Sequence, residues 1–169
     1  WCFREPEQAP VVGPLPASRN GFVTFGSFSN FLRLSGETIE SWARILTLLP
    51  EARLRILGAP EDESLERLTR VMDAAGVAPQ RLDFIRKVSY ARYLEMLNET
   101  DIALGSYPHN GATTICEALW MGVPVVTLAG DTMVSRWTAS MLRAVKLNEL
   151  IAGTPATSEL VLKIVGLVP

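Results

Sequence analysis

From Asp101 to Asp131 the chain passes from a short apolar run, through a loop carrying Gly105 and Gly111, into a helix-forming segment, and out to a second apolar run at Val123 to Leu128. Two short apolar runs joined through one helical turn sequence make a parallel strand–helix–strand unit, because parallel neighbours need a crossover long enough to bring the chain back. The same alternation fills the chain upstream. Phe22 to Phe25 reads as a first strand, and from Ser35 a helical stripe of Ile39, Trp42, Ala43, Ile45 and Leu46 runs until Pro50 stops it. Ala52 to Leu57 is a second strand; Leu65, Leu68, Val71 and Met72 mark a second helix that Gly76 terminates in left-handed geometry; Leu82 to Ile85 is a third strand. Ser89 caps a helix with Tyr93, Leu94 and Leu97 on its apolar side, and Asp101 to Leu104 is the fourth strand. Beyond the fifth strand, helices are expected near Ser135 to Arg143 and Ser158 to Val165.

Strands and helices alternating at this spacing predict an α/β fold, a doubly wound parallel sheet covered on both faces. With strand order 3-2-1-4-5, ligands bind beyond the carboxyl ends of strands one and four, where the order reverses. The loops there are Gly26 to Leu34 and Gly105 to Thr114. Residues 1–20 hold Pro6, Pro10, Pro14 and Pro16 with little periodicity and read as a Pro-rich extended connector, leaving 21–169 as the α/β unit. At 169 residues there is room for one domain or one lobe of a larger protein, and a start at Trp1 without an initiating Met reads as a fragment.

Charge excludes some partners. Sixteen Lys and Arg against 18 Asp and Glu leave a net charge of −2, which offers no general attraction for nucleic acid or an anionic membrane. An anionic ligand must be held locally. Two cysteines, Cys2 and Cys116, are too few for a disulfide framework and fit a reducing, cytoplasmic compartment. No run reaches the roughly 18 apolar residues of a membrane helix, and the start lacks a signal peptide's basic and apolar segments.

Neither G-x-G-x-x-G after the first strand nor G-x-x-x-x-G-K-S/T occurs, so a dinucleotide dehydrogenase and a P-loop ATPase do not fit. There is no Asp-x-Asp pair and only one histidine, and no metal site or cofactor is expected. What remains is the helix start after the fourth strand. Free amides and the positive end of a helix dipole make it a seat for phosphate, and Asn110, Gly111, Thr113, Thr114 and Glu117 cluster there. Hydroxyls and amides would hold a diphosphate while a carboxylate takes ribose hydroxyls. Thr114 and Glu117 also fit a capping box, which needs no ligand. Arg33 lies on the opposing loop, where a guanidinium can pair with phosphate oxygens; His109 reads as pocket lining and not as a base. Asp131 reads as a helix cap, with Gly130 and Thr132 as possible lining; Glu61, Asp62, Glu63 and Glu66 read as an acidic helix start; Trp42 and Trp120 are expected to pack on the sheet.

Taken together, F-G-S-F-S-N-F-L-R-L-S (25–35), W-A-R-I-L (42–46), D-I-A-L (101–104), N-G-A-T-T-I-C-E-A-L-W-M-G-V-P-V-V-T-L-A-G-D (110–131) and S-R (135–136) resemble the C-terminal catalytic lobe of the O-linked N-acetylglucosamine transferase family, which includes the plant Spindly proteins. The resemblance covers about residues 20 to 155. It implies the Rossmann-like, donor-binding lobe of a two-lobed GT-B glycosyltransferase, metal-independent and inverting, that transfers N-acetylglucosamine from a UDP-sugar to Ser or Thr of a protein. It also implies roles. Thr113 and Thr114 fall on the diphosphate-binding threonines, Glu117 on the ribose contact, and Arg33 on the usual lysine that neutralises the leaving diphosphate. Ala112 stands where relatives carry Gly or His. In the looser match from Val88 to Leu97, Ala91 and Leu94 stand where some relatives carry base-contacting Lys and His, while backbone around Val88 and Ser89 can still hold uracil.

The candidate set implied by the resemblance is therefore Arg33 as the catalytic cation, with Asn30, Val88, Ser89, Asn110, Gly111, Ala112, Thr113, Thr114 and Glu117 binding nucleotide and diphosphate. Partners are a nucleotide-sugar donor and a protein acceptor recognised through an upstream lobe and helical repeats, with no nucleic acid and no membrane. A GDP-fucose or UDP-glucose donor, or a non-catalytic nucleotide-sugar-binding module, is the alternative. The chain alone is expected to transfer no sugar.

Overall fold

The computed structural model describes residues 2–153 together with Val161 and Gly166. Its elements in order are α1 (Pro16–Asn20), β1 (Thr24–Ser27), α2 (Gly36–Leu48), β2 (Arg53–Leu57), α3 (Glu63–Ala74), β3 (Leu82–Ile85), α4 (Tyr90–Leu97), β4 (Ile102–Leu104), α5 (Thr113–Trp120), β5 (Val125–Leu128), α6 (Trp137–Ala144) and β6 (Ile151–Ala152). The strands form one parallel sheet in the order β3-β2-β1-β4-β5-β6, so the reversal lies between β1 and β4, the place that a 3-2-1-4-5 order would put it.

Both faces are covered, and the strand period of two decides which side chain goes where. Phe25, Leu54, Ile56, Ile102, Leu104 and Val126 point to the side where α2 and α3 bring Ile39, Trp42, Ile45, Leu46, Leu68 and Met72. Their neighbours Ala103 and Val125 face the other way, onto Leu94, Met96 and Leu97 of α4, Ile115 and Ala118 of α5, and Met141 of α6. Phe25, Leu54, Ile56, Leu94 and Val125 are completely buried, each contributing about 1.5–3 kcal/mol by leaving water.

Local signals hold where the sequence marked them. Ser35, Asp62 and Ser89 cap α2, α3 and α4 by accepting from Thr38 N, Ser64 N and Arg92 N, and Glu63 and Glu66 occupy the first turn of α3. Gly76 sits at φ +75°, the left-handed geometry expected after α3.

Three elements differ from expectation. β1 begins at Thr24, two residues late, because its extent follows the pairing of Thr24 to Ser27 with β2; Phe22 instead lies under the Arg53 guanidinium, 4.0 Å from its ring centre. The Pro-rich start is not wholly extended, since α1 makes one helical turn with Pro16 at its first position, where a missing N–H costs nothing. β6, two residues long, carried no signal of its own. The helix expected over Ser158 to Val165 lies outside the described residues except for Val161, which is buried in the α2–α3 core.

α1 and β1 share one anchor. Asp101, 2% exposed, accepts from Ala17 N at 2.7 Å and from Thr24 N at 2.8 Å, tying the segment before the sheet to the base of β4. At the opposite edge Arg81 donates to the carbonyls of Leu46, Leu49 and Ala52, closing the C-terminal end of α2.

Candidate functional site

The loops leaving β1 and β4 meet at the strand-order reversal, in close approach near β1 and hydrogen-bonded near α2. Near β1, Ser29 Oγ lies 3.2 Å from where a side chain on Gly111 would begin, so only glycine leaves this approach open. Near α2, Ser35 Oγ and Thr38 Oγ1 both donate to the Tyr107 carbonyl, at 2.6 and 2.8 Å, and Tyr107 N donates back to Thr38 Oγ1 at 3.0 Å. Between these two places runs the 3-10 turn Phe31–Arg33. Asn30 Oδ1 caps it by accepting from Leu32 N at 3.0 Å, a local use of a residue placed by resemblance in the nucleotide set. Arg33 ends the turn half-buried, and among the described residues its guanidinium has no partner.

After β4, α5 opens with Ala112 as its capping residue and no side-chain cap. The backbone N–H groups of Thr113 and Thr114 donate to nothing among the described residues, and neither hydroxyl is engaged. Such a helix start leaves orphan donors and partial positive charge facing outward. The capping box is overturned. α5 starts one residue before Thr114, so that threonine already lies in the first turn with helical backbone, and Glu117 points elsewhere.

Glu117 is 5% exposed, and each carboxylate oxygen accepts from a phenol of α4: Oε1 from Tyr90 at 2.7 Å, Oε2 from Tyr93 at 2.8 Å. Tyr93 is itself wedged edge-on against Phe28 of the β1 loop, ring centres 5.7 Å apart. Burial and the donated bond to Glu117 push the Tyr90 phenol up to about 12, and the same causes raise Tyr93 further. A raised phenol pKa adds native stability that is complete below pH 10 and disappears as pH climbs through the folded value. Absorbance titration is therefore expected to show Tyr90 ionising near pH 12, and Glu117→Gln to bring that midpoint down partway. Ionisation of Tyr90 at the ordinary tyrosine value would contradict the bond.

The other expected residues are placed as follows. Asn110 is fully buried; its amide donates to the Ser106 carbonyl at 2.8 Å and its backbone N–H to the Val134 carbonyl, while Oδ1 has no partner. It braces the loop from inside. Val88 packs half-buried against the second core, and the Ser89 hydroxyl is taken by its own helix. Leu94 is wholly buried, so it reaches no ligand; the side chains that α4 turns toward α5 are Tyr90 and Tyr93. His109 packs edge-on to Trp137, ring centres 5.8 Å apart. Asp131 caps nothing; Thr132 and Ser135 satisfy that corner by bonding one another. Trp42 packs on the sheet, but Trp120 is 48% exposed with Phe3 at its edge, because it closes α5 on the outward side.

A recess of about 280 Å³ beside Thr113 and Glu117 is walled by Tyr90 and Cys116 and covered by Cys2 to Arg4. A larger one, about 720 Å³ along α3 and the β3 edge, contains none of these residues; Leu65 and Val77 floor it and Glu61, Glu66 and Asp73 line it. No group of three or more His, Cys, Asp or Glu among the described residues is placed to hold a metal ion, and no described helix is long and apolar enough to cross a membrane. Sequence reasoning missed Ser29, Tyr90 and Tyr93. The tyrosines three apart at a helix start were a visible signal, since that spacing puts both on one face.

Comparison with known proteins identifies the family. The family model described as glycosyl transferase family 41 matches residues 15–166. A Petunia hybrida protein named "Probable UDP-N-acetylglucosamine--peptide N-acetylglucosaminyltransferase SPINDLY" is 36% identical over 154 residues, as is its namesake from Solanum lycopersicum. Each match covers 89% of this chain but only 16% of the relative's length. A mutant of the Thermobaculum terrenum O-GlcNAc transferase superposes with a TM-score of 0.82 at 38% identity, over 91% of this chain and 29% of that one. A sheet reversing at β1 and β4, an uncapped helix start beyond it, and these matches together make the chain a member of glycosyl transferase family 41.

Proposed function

We propose that this chain is the donor-binding lobe of a metal-independent, inverting protein O-glycosyltransferase that uses a UDP-sugar, transferring N-acetylglucosamine to Ser or Thr, with the acceptor lobe and helical repeats supplied by sequence upstream. What supports it is the unengaged amides of Thr113 and Thr114 at the opening of α5, after β4, together with an Arg33 without a partner among the described residues on the loop after the neighbouring strand β1. The names of the plant relatives, which specify UDP-N-acetylglucosamine and a peptide acceptor, support the donor and the acceptor class.

In this assignment the diphosphate sits on the opening of α5. Thr113 and Thr114 supply amides and hydroxyls, Gly111 allows close approach, and Glu117 takes ribose hydroxyls. Arg33 meets the charge that grows on the diphosphate as the sugar departs, so cation and helix dipole do the work a metal does elsewhere. The acceptor's proton goes to a base outside this chain. Two free cysteines and a soluble-type composition fit a cytoplasmic setting.

Calorimetry with UDP tests the site. Hydrogen bonds to charged groups contribute about 1.5–3 kcal/mol, so Thr114→Ala and Arg33→Ala should each weaken binding about tenfold or more. Equal affinity in all three proteins would remove the assignment.

A further inference from the structure

We propose that Tyr90 and Tyr93 are positioning residues that aim Glu117 at the nucleotide's ribose and make the site select ribose over deoxyribose. This rests on the donor-site assignment above. Glu117 serves no cap for its own helix, and both its partners come from a different helix, 24 and 27 residues away in sequence.

A carboxylate has about four acceptor positions, two on each oxygen. One phenol on each oxygen leaves one acceptor position on each, so the carboxylate can still take two O–H donors such as those on adjacent ribose carbons. A carboxylate held through one oxygen can pivot about its last carbon–carbon bond; held through both, it cannot. The two holders differ in kind. Tyr93 is 7% exposed and locked against Phe28, on the same loop that carries Arg33, so it sets the orientation. Tyr90 is 46% exposed and walls the recess that also contains Thr113, so it guards the open side. A purely structural tie between α4 and α5 would be indifferent to the sugar in the recess.

The experiment measures binding of UDP, 2′-deoxy-UDP, GDP, 2′-deoxy-GDP and pyrophosphate to the wild-type chain, Tyr93→Phe and Tyr90→Phe. Preference is read as a ratio within one base, so the identity of the base cancels. The wild type should favour the ribonucleotide about tenfold or more, the value of a hydrogen bond to a charged acceptor. Tyr93→Phe should bring that ratio close to one, and Tyr90→Phe, a half-exposed change that leaves the core alone, to about threefold. Pyrophosphate, which lacks ribose, should bind all three proteins alike. A wild type without preference, or variants that weaken both members of a pair equally, would overturn the inference while leaving the donor site standing. If the wild type binds neither pyrophosphate nor any of the nucleotides, the donor site and the inference fall together.

Discussion

On the donor-site assignment proposed above, replacing Arg33 with alanine in a full-length enzyme is expected to lower kcat for sugar transfer by about two to three orders of magnitude, the usual loss when one donor to developing charge is removed. The charge on the departing diphosphate is greatest in the transition state, so the loss should fall on kcat more than on KM for the acceptor. The structure gives two reasons for a large effect. Arg33 has no partner among the described residues to compete with phosphate, and its loop is fastened by Ser35 and Thr38 on Tyr107, which limits the motion of the cation. Arg33→Lys should recover part of the rate, because a lysine keeps the charge but not the forked, two-bond geometry. Thermal unfolding should not shift in either variant, as a half-exposed side chain without partners contributes little to stability. A full-length Arg33→Ala protein with wild-type kcat would show that the guanidinium does not meet the leaving group.

The largest stability effect is expected at Asp101→Ala. The carboxylate is 2% exposed and satisfies two backbone N–H groups, of Ala17 and Thr24, that no water can reach once it is gone. Each buried donor left without an acceptor costs about 1–3 kcal/mol, so about 2–6 kcal/mol is lost, and Tm falls by roughly 10 °C in a domain of this size. Asp101→Asn should fall between, since one amide oxygen replaces two carboxylate oxygens and the new NH2 faces an N–H. Burial raises the Asp101 pKa above 3.8, with the two amide bonds pulling it back. Its proton linkage therefore favours the native state below pH 3.8 and is lost as pH rises through the folded value, so the mutant should forfeit least to wild type at neutral pH from this source. Because Asp101 precedes β4 and the candidate site follows it, UDP affinity of the folded mutant should be unchanged. A Tm within a degree or two of wild type would mean that α1 and the start of β1 are held by other contacts.

Most of the architecture was legible because it is written in neighbours along the chain. Ser35, Asp62 and Ser89 cap helices that begin at the next residue, Pro50 and Gly76 end them, and alternating Ile102, Ala103 and Leu104 divide between two faces whatever packs on them. Where local signals conflicted with partners far away, the partners won. Thr114 and Glu117 have capping-box spacing, yet the helix started early and the carboxylate found phenols. Tyr93 and Leu94 both bury on the apolar face of α4, as expected, but only Tyr93 carries a hydroxyl that reaches Glu117.

The amino-acid order alone determined the alternating strands and helices of an α/β sheet and the helix opening rich in glycine and hydroxyls after the fourth strand, since each depends on periodicities and caps spanning only a few residues, while the order in which the strands pair belongs to the tertiary structure. Tertiary structure alone decided that Glu117 is gripped by Tyr90 and Tyr93 and that Asp101 anchors α1 and β1. Those outcomes turn on which distant groups become close once the sheet forms, and a buried polar group takes the partner that removes its desolvation cost, wherever in the sequence that partner lies.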